Sequence, residues 1–399
     1  MDDERMAATD EVANEPMAEG ETAETGTDEA MVYAWFEHSG AMAPTHMYSL
    51  TAPFASQFTR GVKVSPDGLC LLSNADDNVL RLFDVNPEVQ DAALEMPEGG
   101  TVYDFTWYPF MTSSDAATCV FASTSHAHPV HLWDAYTGEL RATYRAYDHL
   151  DELTSAYSVA FNATGDKLFC GFERTIRFFD TTQPSRDFTT RALSKTRKSR
   201  HGQRGIISSI HFNPDHSKMY AAGSYSGQTC IYAEESGDEL VSLEGHDGHG
   251  VTQVQFSPDG NFLLTGARKH GLIQVWDIRN TMQVLYSLPR HTPTNQKIAF
   301  DVHCGGRYVA TGSEDAKVLL YDLTTGAAVD EIGGFADAVN GVSFFPAGTT
   351  AQVACCTGQR HYDVPKDMRD DDDDDADATA RRTLAANGIH LYEFAANTQ

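Results

Sequence analysis

Basic and aromatic residues occur together in several short polar segments that separate the apolar runs of this chain. Arginine and lysine neutralise phosphate groups, and tyrosine and histidine rings stack on unpaired bases whose edges neighbouring side chains read. This combination indicates a surface for a looped, single-stranded RNA rather than for a duplex, which is recognised through its backbone shape. The candidate residues are Arg145, Tyr147, His149, Arg174, Arg204, Tyr225, Arg268, Lys269 and Arg360. A further basic loop contains Lys195, Arg197, Lys198 and Arg200.

The distribution of charge leaves room for an RNA partner although the chain as a whole is acidic. The formal net charge is −28, which repels phosphate at long range. Residues 186–204 nevertheless contain seven basic residues and one acidic residue, and at physiological salt a local patch acts within about 8 Å. A solvated loop or a nuclear import signal explains this stretch equally well, and each ring could instead pack against a neighbouring element. Carboxylates in the same segments, such as Asp148, Asp151 and Asp247, also weaken the case for RNA.

Motifs that would indicate an enzyme are missing from the sequence. It contains no G-x-S-x-G, P-loop or H-E-x-x-H motif and no glycine-rich phosphate fingerprint between a strand and a helix. The seven cysteines include no C-x-x-C pair, which favours reduced thiols over a zinc site or a disulfide framework. We therefore expect a binding protein with no catalytic residues, no cofactor and no metal.

Two segments of the chain are strongly acidic. Residues 1–30 carry eleven acidic residues and one arginine, and residues 363–382 carry nine acidic and four basic residues. Both are poor in aromatic and β-branched residues, so we predict a disordered tail over residues 1–45 and a disordered insertion over residues 363–387. The folded domain is predicted over residues 46–395. Because neither a long apolar run nor a signal peptide is present, we expect no membrane partner and no secretion.

A repeat of aromatic–acid pairs at the ends of apolar runs defines the predicted fold. The pairs are Phe83-Asp84, Trp133-Asp134, Phe179-Asp180, Trp276-Asp277, Tyr321-Asp322 and Tyr392-Glu393, with Tyr232-Ala233 filling one gap. Their second residues are 50, 46, 53, 44, 45 and 71 residues apart, and the longest interval contains the acidic insertion. Four-stranded propeller blades have a similar period. The pair Gly245-His246 with Trp276-Asp277 resembles the WD-repeat signature. We predict an all-β, seven-bladed WD-repeat β-propeller.

The last blade needs one strand from elsewhere in the chain. Strands near residues 339–345, 351–357 and 388–394 are only three, whereas residues 47–51 precede the first blade and have no other assignment. Pairing this N-terminal strand with the last blade would close the ring and remove an exposed sheet edge.

Loop positions divide the charged residues between the two faces of the predicted propeller. Loops after the second and fourth strands of each blade share one face and contain the candidate basic residues together with Arg290. The opposite face receives many acidic turn residues, relieved chiefly by Lys167, Arg186 and Lys218. In WD repeats the histidine belongs to a hydrogen-bonded turn network, so we interpret His246, Asp247 and His249 as structural residues rather than as metal ligands.

Several loop segments resemble the telomerase Cajal body protein family of WD-repeat proteins. The segments are residues 58–63, 133–142, 144–154, 168–172, 205–208, 223–225, 266–269, 294–296 and 358–360. This resemblance implies recognition of the CAB-box loop of small Cajal body RNAs, with telomerase RNA as a further client in animals. It also implies H/ACA ribonucleoprotein components as partners, the cytosolic chaperonin during folding, and localisation to Cajal bodies in the nucleus. The alternative is a protein-only WD-repeat scaffold in nuclear ribonucleoprotein or splicing assembly.

Overall fold

Seven four-stranded sheets surround a central channel, which confirms the predicted seven-bladed β-propeller. The computed structural model describes residues 43–51, 54, 57–194, 202–280, 283–346, 351–359 and 387–395. The acidic stretches 1–30 and 363–382 lie outside these residues. Within the described part of the chain, no helix is both long enough and apolar enough to cross a membrane.

The blades follow one another along the chain, and the first strands of neighbouring blades contact each other around the channel. The strand β1 (Ala43–Leu50) precedes blade one. Blade one contains β2 (Thr59–Val64), β3 (Cys70–Ala75), β4 (Val79–Asp84) and β5 (Leu94–Pro97). Blade two contains β6 (Val102–Trp107), β7 (Val120–Ser125), β8 (Val130–Asp134) and β9 (Leu140–Tyr144). A short hairpin of β10 (Ala146–Tyr147) and β11 (Leu153–Thr154) follows.

The remaining blades have the same order of strands. Blade three contains β12 (Ser158–Phe161), β13 (Lys167–Phe172), β14 (Thr175–Asp180) and β15 (Thr189–Ala192), and blade four contains β16 (Ile207–Phe212), β17 (Met219–Ser224), β18 (Gln228–Ala233) and β19 (Glu239–Glu244). Blade five contains β20 (Val251–Phe256), β21 (Phe262–Ala267), β22 (Leu272–Asp277) and β23 (Tyr286–Pro289), and blade six contains β24 (Phe300–Val302), β25 (Tyr308–Gly312), β26 (Val318–Asp322) and β27 (Ala328–Ile332). Blade seven contains β28 (Val339–Phe344), β29 (Ala351–Thr357) and β30 (Gly388–Ala395).

Strand β1 completes blade seven, so the predicted ring closure is confirmed. It pairs antiparallel with β30, and Leu50 lies opposite Ile389. Leu50, Ile389 and Leu391 are fully buried in one apolar cluster. Each Å² of apolar surface that is buried stabilises the fold by about 25 cal/mol, so this seam stabilises the contact between the two ends of the folded ring.

Tight turns connect the first and second strands of several blades. In blade one, the Ser65 hydroxyl donates to Asp67 Oδ1 at 2.6 Å, and Gly68 adopts a φ of 75°. In blade five, Ser257 donates to Asp259 Oδ1 at 2.5 Å in the same way. These acidic residues therefore fix turns through local hydrogen bonds, as short polar side chains do in Asx-type turns.

Candidate nucleic-acid interface

The turn between the second and third strands of six blades places one residue in the left-handed region. The residues are Asn78 (φ 64°), Ala127 (φ 61°), Arg174 (φ 58°), Gly227 (φ 90°), Lys269 (φ 54°) and Ala316 (φ 60°). Glycine and asparagine adopt this conformation readily, whereas other L-residues are strained there. Blades three and five thus present a basic side chain from a position where local backbone preference would favour glycine.

Backbone hydrogen bonds connect these turns to the loops that enter the next blades. Arg174 N donates to Gly205 O at 2.8 Å, and Tyr225 N donates to Ile206 O at 2.9 Å. Arg268 N donates to Gly250 O at 3.0 Å, and Lys269 N donates to Thr294 O at 3.1 Å. The structure therefore brings together five of the candidate residues, which we call the blade 3–5 arc: Arg174, Arg204, Tyr225, Arg268 and Lys269.

Arg268 and Tyr225 form the central side-chain pair of the blade 3–5 arc. The Arg268 guanidinium lies 4.5 Å from the centre of the Tyr225 ring, within the range of a cation–π interaction. Gly250 permits this approach, because a Cβ atom there would lie 3.0 Å from Arg268 Nε. Burial raises the pKa of the Tyr225 phenol despite the nearby guanidinium, so the ring is neutral. It remains 38% exposed and is available to a ligand.

The cations of the blade 3–5 arc differ in their partners. Arg174 Nε lies 3.8 Å from Glu173 Oε1. Among the described residues, the salt bridges involve neither Arg204, Arg268 nor Lys269. A cavity of about 400 Å³ beside Arg204 is also lined by Asp247 and other polar residues. The basic side chains of the arc are thus accompanied, but not fully neutralised, by carboxylates.

The β10–β11 hairpin carries Arg145, Tyr147 and His149 outside the blade 3–5 arc. The Arg186 guanidinium covers the Tyr147 ring at 4.7 Å and bonds Asp151 Oδ1 at 2.9 Å. The loop pattern had placed Arg186 on the opposite face. That assignment is wrong, because the long loop between β14 and β15 brings Arg186 against the hairpin. Arg145 and His149 are exposed.

Arg290 was assigned to the basic face from its loop position, but the structure places its side chain in the interior. Its Nη1 atom donates to Ile298 O at 2.9 Å and to Thr311 Oγ1 at 3.1 Å. Burial lowers the pKa of Arg290 to about 10. Arg290 therefore connects the end of blade five to the segment that enters blade six and to β25, and it offers no surface charge. Arg360 and the basic loop of Lys195, Arg197, Lys198 and Arg200 lie outside the described residues.

His246 belongs to a buried hydrogen-bond network in blade five. Its Nε2 atom lies 2.8 Å from Thr265 Oγ1, which also accepts a bond from Trp276 Nε1 at 3.1 Å. Its Nδ1 atom lies 3.0 Å from His270 Nδ1. Burial and the neighbouring His270 lower the pKa of His246 to about 3, so the ring is neutral at physiological pH. These contacts describe a structural residue of the WD-repeat type, and the described part of the chain contains no group of three or more potential metal ligands.

Sequence reasoning missed a group of charged residues inside the channel. Lys63 Nζ lies 3.7 Å from Asp104 Oδ1, and Lys297 Nζ lies 3.8 Å from the same oxygen. These residues come from blades one and two and from the loop that enters blade six, so the cluster crosses the channel. Each occupies or adjoins an innermost strand, and only the ring closure brings the three together.

Comparisons with known proteins agree with this architecture. The WD domain, G-beta repeat, family matches residues 237–277 and 282–322, so the chain is a WD-repeat β-propeller. Telomerase Cajal body protein 1 of Mesocricetus auratus is 38% identical over 94% of this chain and 73% of its own length. The Homo sapiens protein of that name is 39% identical over 91% of this chain and 67% of its length. The Drosophila melanogaster homolog is 32% identical over 77% and 58%, respectively. The chain belongs to the telomerase Cajal body protein family.

Proposed function

We propose that the protein is a non-enzymatic RNA-binding adaptor that recognises the CAB-box loop of small Cajal body RNAs and localises their ribonucleoproteins to Cajal bodies. The observation that carries this proposal is the Arg268–Tyr225 pair, flanked in the blade 3–5 arc by Arg204 and Lys269. A partly exposed ring, beside cations that form no salt bridge within the described part of the chain, provides a surface for a base together with contacts for adjacent phosphates.

The roles follow from the chemistry of each residue. Arg174, Arg204, Arg268 and Lys269 neutralise phosphates, which supplies affinity without reading sequence. Tyr225 contacts a base, and the β10–β11 hairpin adds Tyr147, His149 and Arg145 as a second contact for a longer loop. In this proposal, Arg360, Lys195, Arg197, Lys198 and Arg200 also neutralise phosphates.

Family membership supports the biological setting of the proposal. The relatives carry telomerase and the Cajal body in their names. We extend that setting to this chain: nuclear localisation in Cajal bodies, H/ACA ribonucleoprotein components as partners, telomerase RNA as a possible client, and assistance from the cytosolic chaperonin during folding. A propeller whose first and last strands must meet has many non-local contacts and folds slowly, which is consistent with such assistance.

Crosslinking followed by sequencing of the bound RNA tests the proposal. We expect one enriched loop motif in small nuclear RNAs. The purified chain should bind that loop without other proteins, and Arg268→Glu with Lys269→Glu should abolish the binding. Lys218→Glu with Arg279→Glu provides a control, because both are exposed and the change in net charge is the same. Recovery of proteins without an enriched RNA motif would instead identify a protein-only scaffold.

A further inference from the structure

Tyr103 and Tyr157, from neighbouring blades, meet next to the blade 3–5 arc. The rings of Tyr103 and Tyr157 lie 5.1 Å apart at an angle of 34°. Tyr157 and Tyr225 are both near enough to Tyr103 to raise the pKa of its phenol in addition to the effect of burial. All three rings are partly exposed. Tyr103 and Tyr157 form a partly exposed aromatic wall, on which a base of single-stranded RNA can stack.

A break in strand register gives Tyr103 its position. The pairing of β6 with β7 shifts between Val102 and Asp104, so Tyr103 occupies the bulge. A bulged residue leaves the regular alternation of the strand, and the first strands of blades one, four, five and seven have the same shift, so the bulge is a feature of the blades that here redirects Tyr103. The next residue, Asp104, belongs to the charged cluster that crosses the channel. One strand therefore supplies both part of the aromatic wall and part of the charged cluster.

The charged cluster has hydrogen-bond donors to spare. Asp104 Oδ1 faces both Lys63 and Lys297, and Asp104 Oδ2 accepts a bond from Val159 N at 3.2 Å. Each lysine ammonium has three N–H donors. Lys63 also donates to Phe105 O and interacts electrostatically with Asp301, so the cluster offers a ligand its spare N–H donors rather than an excess of positive charge. A ligand edge facing this cluster must consequently be rich in acceptors.

We propose that the aromatic wall receives a single unpaired RNA base, stacked on Tyr103 and Tyr157, with its acceptor edge directed towards Lys63 and Lys297. The inference rests on the proposed RNA-binding function and adds to it a defined site for one base. We place the base so that it presents the edge that faces the major groove in a duplex: on that edge uracil offers O4 and guanine offers O6 with N7, whereas adenine and cytosine carry an amino group there. Tyr225 connects the site to the blade 3–5 arc, where the adjoining phosphates bind.

Abasic scanning of the RNA loop with the purified full chain tests the inference. The probe is a fluorescein-labelled hairpin RNA whose loop positions are made abasic one at a time, and the readout is anisotropy. For the wild-type chain, we expect one position at which base removal weakens binding roughly 5- to 150-fold, as expected for loss of one stacked base. In Tyr157→Leu the intact RNA should bind about as weakly as the abasic RNA, and removing that base should then have no further effect.

Conservative and distant variants separate stacking from folding. Tyr103→Phe and Tyr157→Phe keep the rings and should retain affinity. Tyr136→Leu removes a ring that is 66% exposed in a different loop and should also bind normally. Testing all four bases at the sensitive position should favour uracil or guanine, and Lys63→Met with Lys297→Met should remove that preference.

The possible outcomes distinguish the two proposals. If the wild-type chain binds no loop RNA, the proposed function fails and the base site fails with it. If the chain binds the RNA but the abasic scan is flat, or Tyr157→Leu retains full affinity, the base site is wrong while the proposed function stands.

Discussion

Replacing Arg174 and Lys269 by glycine should weaken RNA binding without destabilising the protein. Both residues adopt the left-handed backbone conformation, with φ values of 58° and 54°. This conformation costs an L-residue about 1–2 kcal/mol, whereas glycine loses about 0.5–1 kcal/mol more backbone entropy on folding. The free energy of unfolding should therefore rise by about 0 to 1.5 kcal/mol for each replacement. Lost binding together with gained stability is the result expected where a strained residue is kept for function.

The loss of two phosphate contacts also has a defined salt dependence. Each contact with single-stranded RNA contributes about 0.7 to the slope of log affinity against log salt. Removing two contacts should lower that slope by about 1.4, so between ~50 and ~200 mM salt the double variant should lose about sevenfold less affinity than the wild type. Filter binding or anisotropy across this range measures the slope, and urea unfolding measures stability.

Two alanines at the same turn position provide the matched control. Ala127 and Ala316 have φ values of 61° and 60° and carry no charge. Ala127→Gly with Ala316→Gly should give a similar change in stability and an unchanged salt slope. An unaltered slope in the Arg174→Gly, Lys269→Gly chain would refute the phosphate contacts. A fall in its stability would refute the backbone reasoning.

The remaining predictions concern stability. The carboxylate of Glu98 receives bonds from Ser125 (2.9 Å), His131 (3.0 Å) and Trp133 (3.1 Å), and although burial alone would raise its pKa, these partners hold the pKa below the usual range. The stabilisation from this carboxylate is therefore fully present above about pH 4.3, its pKa in the unfolded chain, and is lost as the pH falls through the lower pKa of the folded state. Glu98→Gln should lower the free energy of unfolding by about 1–3 kcal/mol at pH 7, measured by urea unfolding, and should remove this pH-dependent component. A variant whose stability fell with acid as that of the wild type does would contradict the assignment. Leu50→Ala in the closing strand should cost about 2–5 kcal/mol with an unchanged denaturant slope, whereas a cost below about 1 kcal/mol would show that ring closure contributes little.

Repeated local patterns explain why the fold was predictable from the sequence. Aromatic–acid pairs such as Trp133-Asp134 end the third strands, and turns such as Ser65-Pro66-Asp67-Gly68 separate the first and second strands. Each pattern is a local requirement for a strand end or a turn, so one sequence reveals it. The missing strand of blade seven was inferred by counting, because an open ring would leave an unpaired edge.

The details of the candidate site depended on contacts that no local pattern encodes. Arg290 occupies a loop position like that of other basic residues, yet its guanidinium turns inward to Thr311. Arg186 reaches Tyr147 only because its loop is long. Tyr103 looks like an ordinary strand residue, and its bulge and its contact with Tyr157 depend on pairing between strands and blades. Sequence position thus assigns a residue to a loop or strand but does not give the direction of its side chain.

The thickness of the propeller reconciles the proposed role of the basic blade 3–5 arc in RNA binding with an acidic protein. Its inner strands are typically six residues long, as in β2 and β16, which at about 3.3 Å per residue separates the two faces by roughly 20 Å. The Debye length at physiological salt is about 8 Å, so a charge on one face is reduced to roughly a tenth of its unscreened potential at the other. Asp67 and Asp259 lie in turns at the opposite ends of the strands from Arg268 and Lys269, and they are engaged by local hydrogen bonds. The net charge of −28 therefore describes the whole chain, whereas phosphate approaching the blade 3–5 arc experiences chiefly the charges of the arc itself; among the described residues, Arg204, Arg268 and Lys269 form no salt bridge there, and Arg174 lies beside Glu173.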